Sequence, residues 1–113
     1  MLTWMIWTES PVTEAALRKF AEAESGYWND TVGDEAIIER GEARVFISAA
    51  PTSDETNVFP DDVAFATSTL GRTPATVLWI TVGHASGSLP LAEEVAAHAI
   101  NLWGGFLDRN SGQ

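Results

Sequence analysis

The chain has no cysteine and one lysine, Lys19. Without cysteine there can be no disulfide framework, thiolate metal site or cysteine nucleophile, and a reducing compartment is permitted. Basic residues of either kind are scarce: six Lys and Arg stand against sixteen Asp and Glu, a formal net charge of -10. Such a field repels phosphate backbones and anionic lipid, which argues against nucleic-acid or membrane partners and favours a basic protein. Long apolar runs are also missing. The apolar start, residues 1–7, is too short for a membrane span and lacks the basic flank and cleavage site of a signal peptide, so a soluble, cytoplasmic protein is expected. No repeat, heptad or low-complexity segment occurs. What the chain does have is 45% hydrophobic residues over 113 positions, enough for one domain, 1–113, whose core needs no metal or cofactor.

The acids are unevenly placed. Residues 22–62 hold Glu22, Glu24, Asp30, Asp34, Glu35, Glu39, Glu42, Asp54, Glu55, Asp61 and Asp62, against only Arg40 and Arg44. The rest of the chain is nearly balanced, so one region concentrates the negative field.

Periodicity and punctuation predict the elements. Residues 75–82, rich in β-branched and aromatic side chains after Gly-Arg-Thr-Pro, read as a central strand. A Gly/Ser loop follows, then a helix with Ser88 as N-cap, Pro90 in its first turn, and Gly104 where the chain leaves it. Residues 2–8 form a strand that is apolar on both faces. Ser10 and Pro11 open a helix over 12–25 whose apolar face carries Ala16, Leu17, Phe20, Ala21 and Ala23. Residues 27–33 read as a loop. Strands at 35–39 and 43–50 flank Arg40-Gly41-Glu42, with the glycine where a hairpin needs a positive φ. Residues 51–57 are turn-rich, and Pro60, Asp61 and Asp62 begin a helix that Gly71 ends. Residues 106–108 are a candidate edge strand, and 109–113 a frayed end.

This order, with two helices returning to a sheet, predicts an α+β fold. The expected form is a two-layer ferredoxin-like (split βαβ) sandwich, with a mixed four- or five-stranded sheet and its helices on one face. Alternation turns Phe46 and Trp79 away from the helical layer, onto a face that must be solvated, covered by another segment or bound to a partner. A homodimer through that face is compatible with the pattern.

Residues 83–88 join a strand to a helix N-terminus, a geometry that can hold a small anion, although the glycine spacing is neither Walker A nor the dinucleotide fingerprint. No acid is fixed beside His84, Ser86 or Ser88 to complete a catalytic group. The acids at 54–55 and 61–62 lack a calcium-loop spacing, and His98 with His84 makes no HExxH-type pair. Catalytic, metal and cofactor residues are therefore not assigned.

The ending LAEEVAAHAINLWGGFLD, above all Leu102-Trp103-Gly104-Gly105-Phe106-Leu107-Asp108, placed after a strand and a Gly/Ser loop, resembles small bacterial immunity-type proteins that accompany polymorphic or contact-dependent inhibition toxins. The resemblance implies a non-enzymatic cytoplasmic inhibitor of one cognate toxin, often a nuclease, acting through an acidic surface; no individual binding residue carries over. A nuclease cleft is basic because it binds a polyanion, so clustered carboxylates suit it. The residues expected to bind are Glu35, Glu39, Glu42, Asp54, Glu55, Asp61 and Asp62, with Trp28 or Trp79 as the aromatic hot spot. The alternative is a small-ligand-sensing or regulatory ferredoxin-like module that binds an anion at loop 83–88.

Overall fold

The computed structural model of the chain describes residues 2–31 and 34–109. Part of the expected loop, residues 32 and 33, and the expected frayed end from residue 110 onward lie outside the described residues. The elements run β1 (Leu2–Thr8), α1 (Glu14–Ala23), β2 (Tyr27–Asn29), β3 (Glu35–Arg40), β4 (Ala43–Pro51), α2 (Pro60–Leu70), β5 (Thr76–Val82), α3 (Ser88–Trp103) and β6 (Phe106–Asp108).

The α+β class is as expected, but the sheet differs from the expected one. It has six strands, in the order β2-β3-β4-β5-β1-β6, instead of four or five. It is not mixed either: every pairing among the described residues is antiparallel, and two strands, β4 and β5, separate β1 from β3, where a split βαβ unit has a single strand between the pair its helix joins. The extra strand is β2, in the stretch expected as a loop. Its Tyr27, Trp28 and Asn29 pair with Ile37, Ala36 and Glu35. β4 follows β3 through a two-residue turn with Gly41 at φ +63 as foreseen, α2 joins the neighbours β4 and β5, and α3 carries the chain from β5 past β1 to β6.

Strand alternation divides the core between the two faces of the sheet. On one face Trp4 and Ile6 of β1, Ile38 of β3, Val45 and Ile47 of β4 and Leu78 and Ile80 of β5 pack under Leu17 and Phe20 of α1 and Leu91, Val95 and Trp103 of α3. Full burial of each large aliphatic or aromatic side chain contributes about 1.5–3 kcal/mol. Phe20 and Trp103 join the two helices, their ring centroids 5.1 Å apart. Helix α2 lies elsewhere: Val63, Ala66 and Leu70, with Val58 just before the helix, pack with Met5, Trp7, Val77, Trp79 and Phe106 on the opposite face. Helices therefore cover both faces, and the expectation of one helical face is corrected. The spacing of Val63, Ala66 and Leu70 supplies a narrow apolar stripe, and the sheet residues it meets are those pointing away from α1 and α3. Hydroxyl groups of Thr67 and Thr69 donate back to the carbonyls of Val63 and Phe65, which lets the Thr-Ser-Thr run remain helical.

Two helix starts also move. Helix α1 begins at Glu14, because the Val12 N–H is held by the Thr76 hydroxyl at 3.0 Å and the Thr13 hydroxyl caps the Ala16 N–H at 3.1 Å. Helix α3 has Gly87 at its N-cap, and Ser88 instead turns inward to β4, accepting the Arg44 N–H at 2.9 Å.

Candidate functional site

Because α2 packs toward the β5, β1 and β6 side, the β3 and β4 side of that second face is left as a trough. Arg44, Phe46, Ser48 and Ala50 of β4 follow one another along it at every second position, a run of about 20 Å at strand rise. Trp79 stands across from Ser48, and Thr81 across from Phe46. Phe46 and Trp79 are half-buried, while Tyr27 at the β2 end is 49% exposed. The trough has a recess at each end. Near the β3–β4 turn a space of about 260 Å³ is lined by Glu42, Arg44, Phe46 and His84. Near loop 52–59 a groove of about 500 Å³ is lined by Ser48, Asp54, Asn57 and Trp79.

Of the expected acids, Glu42 and Asp54 line the recesses and Glu35 and Glu39 flank the floor, and they are not all in the same state. Glu35 and Glu39 occupy β3 positions that alternate with the helix-facing Ala36 and Ile38, so they project to the trough side. Glu39 is engaged within the chain: its carboxylate accepts Arg44 Nη2 at 3.0 Å and the Tyr27 hydroxyl. The Tyr27 bond, with Arg44 second, holds the Glu39 carboxyl below its ordinary range, and the same bond raises the Tyr27 phenol. Asp54 is tied into its own turn. Its Oδ2 accepts Asn57 Nδ2 at 2.9 Å and its Oδ1 accepts the Thr56 N–H at 3.1 Å, and these bonds lower its carboxyl. Asp61 and Asp62 occupy the first turn of α2, where the helix dipole favours negative charge. Glu35, Glu42, Glu55, Asp61 and Asp62 form no side-chain hydrogen bond or ion pair among the described residues, and their charge is open to a partner.

The two aromatic candidates are not brought together. Trp79 lies in the trough, whereas Trp28 packs on the α1 side of the sheet with the Arg18 guanidinium 4.7 Å from its ring centroid. There it lines a separate cavity of about 470 Å³ with Val12, Leu17 and Ala49. Sequence reasoning missed Phe59 and Phe65, 71% and 57% exposed beside Asp61 and Asp62; the residues FPDDVAF carry that signal, since an amphipathic α2 has room for only one buried stripe. Phe65 meets Phe106 edge-on at 6.4 Å, so the aromatic surface continues onto the β6 edge.

Other chemistry is accounted for by local structure. In loop 83–88 the Ser88 hydroxyl is buried against β4 and the Gly83 N–H bonds the Arg44 carbonyl, so both clamp the sheet end. Glu24, Glu94 and His98 hold ligand-type atoms within 4.8 Å of one another. Arg40 bridges Glu94 and Glu24, and His98 Nδ1 lies 2.7 Å from Glu24 Oε1, so this cluster already contains its cation. No helix among the described residues is long and apolar enough to cross a membrane. Compared with known proteins, the chain matches no protein-family description, no curated protein and no solved structure.

Proposed function

We propose that this protein is a binding module for a basic protein, and that its action is that of an immunity-type inhibitor occupying the basic cleft of a cognate bacterial toxin. The observation that carries the reading is the trough itself. An aromatic floor of Phe46 and Trp79 is bordered by Glu35 on β3, Glu42 at the turn and the turn-held Asp54 on the loop side, which supplies a desolvated anchor inside a polar, charged rim. Its negative field steers a basic partner and rejects polyanions, as a protein competing with nucleic acid for a nuclease cleft requires. The resemblance of the chain's ending to immunity-type proteins points to the same class of partner.

The test is capture from a lysate of the source organism at low and high salt, with a Glu35→Lys/Glu42→Lys/Glu55→Lys variant beside the native protein. The expected result is one stoichiometric basic protein, retained by the native chain, released by salt and lost from the variant. Expressed alone that protein arrests growth, and co-expression of the native chain restores it. A captured protein that the variant binds equally well, or that is harmless alone, overturns the reading.

A further inference from the structure

The groove at the loop end of the trough is lined by groups that accept hydrogen bonds, over an aromatic ring. Asp54 presents a carboxylate fixed by two bonds of its own turn, one to each oxygen, and each oxygen retains a lone pair. The Asn57 amide uses its NH2 on Asp54, which leaves its carbonyl oxygen as an acceptor. The Ser48 hydroxyl is a further oxygen on the strand floor, opposite Trp79. Among the described residues no basic side chain lines the groove.

The chain shows elsewhere how it satisfies a tryptophan face. Arg18 lies over Trp28 and Arg109 over Trp4, each guanidinium carbon 4.7 Å from the ring centroid. Trp79 carries no cation among the described residues. We propose that the groove formed by Trp79, Asp54, Asn57 and Ser48 is a receptor for a guanidinium group, the arginine side chain of a partner protein. The proposal rests on the reading of the trough as a partner surface and names the anchor within it. A guanidinium fits because it is flat enough to stack on the indole while its fork of N–H donors meets a carboxylate and neighbouring oxygens. An ammonium matches the charge but neither the plane nor the fork. An anion meets only acceptors and negative charge. The turn-borne bonds that hold the Asp54 carboxyl low keep it ionised and oriented before any ligand arrives.

Two-dimensional 1H–15N spectra test this on the whole chain, with the Trp79 indole resonance identified by its absence from a Trp79→Leu spectrum. The probe is a doubly capped arginine, N-acetyl-arginine methylamide, compared with the capped lysine at equal ionic strength. Expected are saturable shifts of the Trp79 indole and Asn57 side-chain amide, with the lysine analogue weaker by about threefold or more. Asp54→Asn, which keeps an acceptor for the Thr56 N–H, abolishes saturation while leaving the rest of the spectrum in place. Equal shifts from both analogues, or an unchanged titration in Asp54→Asn, overturn the proposal. Tighter binding of free arginine than of the capped residue also overturns it, because the ligand would then be a metabolite and not a side chain. If the arginine probe fails while the triple reversal still abolishes partner capture, the groove assignment falls and the trough remains the partner surface. If the reversal also leaves capture intact, both fall.

Discussion

The Ser88 hydroxyl, 1% exposed as a residue, lies 2.9 Å from the backbone nitrogen of Arg44 and accepts its hydrogen bond. A side chain at the start of α3 thus completes the hydrogen bonding of β4 at the sheet end where the Gly83 N–H takes the Arg44 carbonyl. Removing the hydroxyl leaves a partly buried N–H without a partner, which costs about 1–3 kcal/mol. Ser88→Ala is expected to lower stability by that amount in urea unfolding, with an unchanged denaturant slope. A loss below a few tenths of a kcal/mol would mean that water replaces the hydroxyl and that Ser88 is no clamp.

Gly105 is required by space as well as by backbone angle. Its φ is +102, and a β-carbon built on it would come within 1.8 Å of the Trp7 carbonyl oxygen. Trp7 pairs with Phe106 in the β1–β6 ladder, so the chain has to pass this close to enter the edge strand. Gly105→Ala is expected to displace β6 and expose the ring contact between Phe65 and Phe106. Hydrogen exchange should show β6 amides losing protection while those of β3 and β4 keep theirs. Uniform loss across the sheet would contradict a local role.

The Tyr27–Glu39–Arg44 chain predicts a pH dependence whose sign follows from the directions of its shifts. Glu39 is lowered chiefly by the Tyr27 hydroxyl and then by Arg44. A carboxylate held low in the folded chain adds stability that is present above its unfolded range and is lost as pH falls through the folded value. Tyr27 is raised, chiefly by the same bond, so its contribution is present below the ordinary phenol range and is lost as pH rises through the raised value. In a carboxyl-detected NMR titration, the Glu39 midpoint should lie below the ordinary glutamate value and move up in Tyr27→Phe. A midpoint indifferent to Tyr27→Phe would assign the shift to Arg44 alone.

Much of the fold was legible because apolar spacing and punctuation act locally. The strands at 2–8 and 43–50, the Gly41 turn, the α2 stop at Gly71 and the edge strand Phe106–Asp108 all follow from residues next to one another. The failures come from distant partners. Ser10-Pro11 has the chemistry of a helix start, but Thr76, a strand residue far along the chain, holds the Val12 N–H. Ser88 has the chemistry of a cap, but β4 uses its hydroxyl. Strand order and the side taken by α2 depend on which apolar stripe meets which, and an antiparallel sheet with helices on both faces satisfies the same local pattern as a split βαβ unit. In the candidate site Trp79 was legible as outward-facing, with Glu35, Glu39, Glu42 and Asp54 around that face. Sequence could not separate Glu39, neutralised by Arg44, from Glu35, which has no side-chain partner among the described residues, nor show that Trp28 and Trp79 lie on opposite faces.

That separation gives the sharpest functional prediction, because net charge and charge placement can be made to disagree. Glu35 and Glu42 border the trough and Glu55 follows Asp54 in the loop that closes its end, while Glu9, Glu22 and Glu93 are exposed and do not line it. Reversing either trio to lysine produces chains of identical net charge. If attraction of a basic partner were a property of overall charge, the two variants would lose association rate equally. If the trough is the docking surface, the field must be focused there, and rates steered by a local field change by about 10-fold or more when its sources are reversed. Measured by stopped flow against the captured partner at several ionic strengths, the trough variant is expected to associate slowly with little salt dependence. The other variant should keep most of the native rate and its salt slope. Equal rates for the two would remove the trough from the binding mechanism, whatever the affinity of the complex.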